Sequence, residues 1–203
     1  MFTFLKTTLT AVSWLAASLP ATAALQMDGV ALEDSVQVAG KNLKLNGAGI
    51  SMRLIFKVYA LGLYLPNRQD TTRDVLHGEG PKRLLIAMLR DVSGTEFNDE
   101  LRQYAVAESA SVPAHILDNM VRLGQAIERQ SNGLRKGDTL TLDWVPGTGT
   151  MVELNNKPLT APLRDMAFYK ALLNIWLGDR PADSGLKMKL LGQATELRSA
   201  LRD

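Results

Sequence analysis

The run from Met52 to Leu65, MRLIFKVYALGLYL, constrains this chain more than any other segment. It is rich in β-branched and aromatic residues, and Pro66-Asn67 closes it. Such a run is too continuous for a strand with one face in water. It predicts one long buried strand, or two strands with a bend at Ala60-Leu61-Gly62. Either way, other elements must cover it. The chain has the material: 46% of its residues are apolar and 22% charged, as in an ordinary globular domain.

The neighbouring segments supply the sheet and its cover. Val36–Val38 and Asn42–Asn46 read as short strands joined by a hairpin signal at Ala39-Gly40-Lys41. Gly47-Ala48-Gly49 reads as a flexible turn, and Leu84–Arg90 as a further strand. Ser93-Gly94-Thr95-Glu96 has the spacing of a capping box, so a helix should start there. Its face carries Phe97, Leu101, Tyr104 and Ala105, and it should end near Ser111, before Pro113. Glu96, Asp99 and Glu100 fall in its first turns, where acids suit the helix dipole. A second helix carries Ile116, Leu117, Met120, Leu123, Gly124 and Ile127, ending at Ser131-Asn132-Gly133. Thr139–Val145 alternates as a strand, Pro146–Gly149 turns the chain, and Thr150–Leu154 is the return strand before the turn at Asn155-Asn156-Lys157. A helix from about Ala161 to Leu177, with Met166, Tyr169, Leu172, Leu173 and Trp176 as its apolar stripe, and a last one over Ser184–Gly192 complete the set. Strands come first, helices group in the middle, and no strict β-α alternation occurs. That order predicts an α+β fold with a largely antiparallel sheet and helices on one face.

Residues 1–23 stand apart. Lys6 precedes an apolar stretch of roughly 12–14 residues, too short to span a membrane, and Ala21-Thr22-Ala23 follows it. This is the pattern of a cleaved secretory signal, with the cut after Ala23. The expected location is therefore the periplasm, with residues 24–203 as one domain. Its ordered core should cover about 26–195, and the charged tail Thr195–Asp203 should fray. No second apolar run of that length follows, so no stable membrane span is expected.

Composition removes several function classes. The chain has no Cys and two His, His77 and His115, which lie far apart in sequence. Disulfide scaffolds, thiolate zinc sites, iron–sulfur clusters and cysteine nucleophiles are excluded, and a histidine metal site is not expected. Lys plus Arg is 23 against 21 Asp plus Glu, a formal charge of +2. That balance gives no reason to expect nucleic acid. No P-loop, dinucleotide fingerprint or nucleophile elbow is present. No cofactor and no metal is expected.

Four strings, in order, resemble the chalcone isomerase-like superfamily and its secreted bacterial branch. They are LNGAGISMRLIFKVYALGLYLP, MLRDVSGTEFNDEL, NIWLGDRPAD and LKMKLLG. The resemblance implies an open-faced β-sandwich of the chalcone isomerase type, an antiparallel sheet with a helical layer on one face. It implies a ligand cleft between the long sheet and the helices. Plant members close a flavanone ring there, and others hold a fatty acid by an Arg and a Tyr.

The implied site maps onto this chain with changes. Ser51 stands where the family's Arg follows the Gly-Ala-Gly turn, and Arg53 lies two residues on, on the same strand face. Tyr59 aligns with the family's strand Thr, and counted along one strand it shares parity, and so a face, with Ser51 and Arg53. Phe97 replaces the catalytic Tyr, and Tyr104 replaces an Asn. Electrostatic catalysis tolerates such changes poorly, because it depends on closely placed donors. Flavanone chemistry is therefore not expected, and no catalytic residue is assigned. The expected ligand-binding set is Arg53, Tyr59 and Ser51 at the polar end, with Phe97, Tyr104 and Met88 along the apolar wall. Each also has a plainer reading: Arg53 as a solvated strand charge, the aromatics as core. The leading expectation is a non-catalytic protein binding an apolar or amphipathic small molecule, such as a fatty acid. An interaction protein with a closed cleft, and hence a protein partner, is the alternative, as is an isomerase of unknown substrate.

Overall fold

The computed structural model describes residues 24–108, 112–130 and 132–193. The expected leader, the expected end of the first long helix near Ser111 and the charged tail lie outside the described residues.

The chain opens with two hairpins: β1 (Ala24–Met27) with β2 (Val30–Glu33), and β3 (Ser35–Val38) with β4 (Lys41–Arg53). β5 (Phe56–Leu65), α1 (Thr72–His77) and β6 (Lys82–Met88) follow. The long helices α2 (Gly94–Glu108) and α3 (Ala114–Glu128) come next. Then come β7 (Thr139–Val145), β8 (Gly149–Leu154) and β9 (Lys157–Pro158), and finally α4 (Met166–Leu177) and α5 (Ser184–Leu190). Among the described residues β3 to β9 form one sheet in chain order, and every neighbouring pair is antiparallel. The α+β class and the open-faced antiparallel sheet under a helical layer are as expected.

Three local readings need correction. The run Met52–Leu65 is not one strand: the chain turns back at Leu54-Ile55, and Arg53 pairs with Phe56. Leu54 and Ile55 carry none of the usual turn chemistry, so nothing in the pattern marks the reversal. Gly47-Ala48-Gly49 is not a turn but the middle of β4. Its glycines exist because α5 lies on the strand. A Cβ on Gly47 would sit 2.1 Å from the Lys189 carbonyl oxygen, and one on Gly49 2.6 Å from Leu186 Cδ1. The fourth helix starts at Met166 rather than Ala161. Leu163 instead pairs with Thr150 as an isolated bridge, and the Asp165 carboxylate accepts from the Ala167 N–H as the N-cap. The β1–β2 hairpin and α1 were not foreseen, being four and six residues long.

The sheet buries both faces unequally. The main core lies under the helices, where Leu61, Leu63, Leu84, Ile86, Leu140 and Leu142 meet side chains of α2, α3 and α4. On the other face a small cluster of Val38, Leu43 and Tyr64 sits beside the bidentate Arg83–Asp143 pair, at 2.7 and 2.5 Å. Close helix contact needs Gly124, where a Cβ would fall 2.0 Å from Asn98 Oδ1 on α2. The buried Asn46 ties β4 to its surroundings. Its amide donates to the Gln69 and Leu190 carbonyls, both at 2.8 Å, and its oxygen accepts from the Gln69 N–H at 2.7 Å. These contacts hold α5, β4 and the segment before α1 together, which fixes the far end of the sheet from which the site is built.

Candidate functional site

At the open end of β4, β5 and β6 the register places three side chains in one row. Ser51 lies opposite Tyr59, and Tyr59 opposite Met88. Directly paired residues share a sheet face. All three therefore point toward the helices, with Arg53 two residues beyond Ser51 on the same side.

Ser93 caps α2 by accepting from the Glu96 N–H at 3.0 Å. The reciprocal half of the capping box does not form, because the Glu96 carboxylate accepts from Arg90 Nη2 at 2.7 Å instead. From this start, Phe97, Leu101 and Tyr104 share the face turned to the row. The C-terminal turn of α4 adds Trp176.

Between these elements lies a cavity of about 460 Å³, open to solvent. Ser51, Arg53, Tyr59, Met88, Phe97 and Tyr104 all line it. Its remaining wall includes Val58, Ile86, Val92, Leu101 and Ile175. Its size falls in the range of about 300–1,000 Å³ usual for small-molecule sites, and its mostly apolar wall with few polar groups is the usual composition.

The polar groups are already engaged with one another. Trp176 Nε1–H donates to the Tyr59 hydroxyl at 2.9 Å, and the rings meet edge to face with centroids 6.5 Å apart. Ser51 faces the phenol from the paired position on β4. Burial pushes the Tyr59 hydroxyl above its ordinary range, and the nearby Ser51 hydroxyl and the Trp176 N–H pull it partly back. Tyr59 is thus a neutral phenol at physiological pH and not a base. Arg53 stands at the rim with 58% of its side chain exposed. Its guanidinium bonds Glu100 and lies 3.8 Å from Glu96, which Arg90 also holds. The rim thus carries two arginines and two glutamates in a neutral cluster.

Arg53 is therefore a cleft-mouth cation whose charge is already matched. Sequence reasoning placed Glu96 and Glu100 as helix-dipole acids and missed this pairing; only the fold brings the strand Arg to the second turn of α2. It also placed Trp176 in an apolar stripe. An indole N–H on a buried helix face needs an acceptor, and that requirement was the available signal. Elsewhere, His115 pairs with Asp165 at 2.8 Å on the surface. Among the described residues, no group of three or more His, Cys, Asp or Glu is placed to hold a metal ion. Among the same residues no helix is long and apolar enough to cross a membrane.

The family model described as chalcone isomerase-like matches residues 24–192. Among solved structures, the chain is similar to a fatty-acid binding protein of Arabidopsis thaliana. The TM-score is 0.63 at 13% identity, over 87% of this chain and 98% of that one. No curated protein matches the chain in sequence.

Proposed function

As the chain belongs to the chalcone isomerase-like family, we propose that it binds an apolar or amphipathic small molecule, such as a fatty acid, in the sheet–helix cavity and does not transform it. The observation that carries this reading is the cavity itself: about 460 Å³, open to solvent and mostly apolar along its wall, with polar groups at Ser51, Arg53, Tyr59, Glu100, Gln103 and Tyr104. A cleft closed by its own side chains would leave no such space. The similar Arabidopsis protein is described as binding fatty acids, which supports the same ligand class here.

The absence of turnover follows from the side chains. Phe97 offers no hydroxyl where the resemblance calls for one, and the Tyr59 phenol is engaged by the Trp176 N–H. Arg53 can still orient a carboxylate. Its bond to Glu100 is solvent-exposed, and such pairs contribute only about 0.2–1 kcal/mol. A ligand carboxylate can replace Glu100 at little net cost. The leader expected at residues 1–23 supports action in the periplasm, and the family match begins at residue 24, directly after the expected cut.

The test is a fluorescence titration with dansylundecanoic acid, together with mass spectrometry of small molecules extracted from the natively purified protein. Uptake near one per chain is expected. Met88→Trp should abolish it, because the indole fills the cavity beside Tyr59. Arg53→Ala should weaken it only slightly, by less than about 1 kcal/mol, because the ligand carboxylate replaces Glu100 in an exposed pair. Wild-type protein that takes no probe and carries no extractable acid refutes the reading.

A further inference from the structure

The turn between β4 and β5 presents an unusual surface. Leu54 is 91% exposed, Ile55 81%, Phe56 60% and Met52 44%. The only other large exposed hydrophobics among the described residues are Leu25 and Met188, far away in the sequence. Leu54 also has φ 55°. A bulky residue is disfavoured in that region, and a side chain in water gains nothing there from folding. The other two-residue turns use Asp28-Gly29, Ala39-Gly40 and Asn155-Asn156, residues closer to what such turns prefer. Local conformation and solvation both argue against the residue present. An apolar tip kept against both preferences marks a contact outside the folded chain.

The geometry favours one occupant. The tip is narrow, with only Leu54 and Ile55 beyond the last paired residues, so few unpaired backbone groups would enter an apolar layer. Arg53 and Lys57 bracket the apolar tripeptide. The tip is also continuous with the cavity: Met52 and Arg53 line it, while Arg53, Leu54 and Phe56 line a shallow groove just outside the same rim. We propose that the β4–β5 tip inserts into the surface of a phospholipid bilayer and holds the cavity mouth against it. The proposal rests on the apolar-ligand reading above, because a ligand of that kind partitions into membranes. Leu54, Ile55 and Phe56 sit among the acyl chains. The stems of Arg53 and Lys57 lie along the inserted tip, with their charges at the phosphates. Their present partners, Glu100 and Asp28, form exposed pairs that phosphate oxygens can replace.

The chain has no Cys, so Ile55→Cys creates a single site for an environment-sensitive dye. With vesicles of phosphatidylethanolamine and phosphatidylglycerol, the dye should shift to the blue and the protein should sediment with the lipid. The variant Leu54→Asn with Ile55→Ser should lose at least about ten-fold in vesicle partitioning. Its urea midpoint should be unchanged or higher, since Asn accepts the left-handed conformation, and its uptake of dansylundecanoic acid from solution should be unchanged. A dye that stays in water, or a variant that binds vesicles as well as wild type, overturns the proposal. Wild type that takes the probe but ignores vesicles overturns docking and leaves the cavity reading standing. Vesicle binding through the tip without probe uptake does the reverse. A lipid-free dimer abolished by the variant assigns the tip to a second copy and overturns membrane docking.

Discussion

Replacing Tyr59 by Phe removes one oxygen and nothing else of size. The Trp176 indole N–H then loses its 2.9 Å acceptor in a residue only 6% exposed. A buried donor left without an acceptor costs about 1–3 kcal/mol. The adjoining cavity admits water, which places the expected loss at the lower end, about 1–2 kcal/mol. For a chain of this length that lowers the melting temperature by about 2–4 °C per kcal/mol. Trp176→Phe should cost more, because it also removes ring volume from the core. The informative quantity is the double variant. Once both partners are gone no polar group is stranded, so the two losses should not add. The coupling should be about 1 kcal/mol, the usual net worth of one such bond, since both Phe replacements keep a ring in place. Urea unfolding of the four proteins measures it. Losses that add to within about 0.3 kcal/mol would refute the claim that this bond braces the cavity wall.

Two further outcomes follow from the packing. Gly47→Ala should destabilise the fold by about 2–4 kcal/mol in urea unfolding, because its Cβ meets the Lys189 and Leu190 carbonyl oxygens at 2.1 and 2.6 Å, and a helix backbone cannot step aside as a side chain can; a loss under about 0.5 kcal/mol would show that α5 does not lie on β4 as described. Alkaline unfolding should set in above pH 10: burial pushes the Tyr64 hydroxyl up to about 12 and also raises Tyr59 and Tyr169. The folded protein then holds protons that the unfolded chain releases, so stability is full below pH 10 and lost as pH rises toward 12. Tyr64→Phe should flatten that decline in a pH series of urea midpoints, and an unchanged slope would remove Tyr64 as a cause.

The elements that were legible in the sequence are those with long periodic patterns or explicit turn chemistry. The faces of α2 and α3, the alternation of β7 and the Ala39-Gly40 and Asn155-Asn156 turns are of this kind. The failures share one cause, which is tertiary contact overriding local signal. Gly47 and Gly49 look like a turn because glycine ordinarily frees the backbone, yet here they make room for α5. Leu54-Ile55 looks like strand interior because it is apolar, yet it is a reversal.

The site illustrates the same limit from the other side. Counting along one strand put Ser51, Arg53 and Tyr59 on a common face, and they do share it. The reason differs, since Tyr59 lies on the return strand and reaches that face by pairing with Ser51 across the hairpin. An antiparallel pair gives direct partners the same orientation, so the parity count reached the right wall through the wrong geometry. No such coincidence was available for charge. Glu100 is 47 positions from Arg53, and only the seating of α2 over the sheet brings the two together. That seating decides what Arg53 can do. An unpaired guanidinium at an apolar mouth would select anions strongly, whereas one already matched by Glu100 and Glu96 makes the exchange of one carboxylate for another nearly neutral. Selectivity in this cavity must then come mainly from the shape and length of its apolar wall, and the rim serves to orient the head group of whatever the wall accepts.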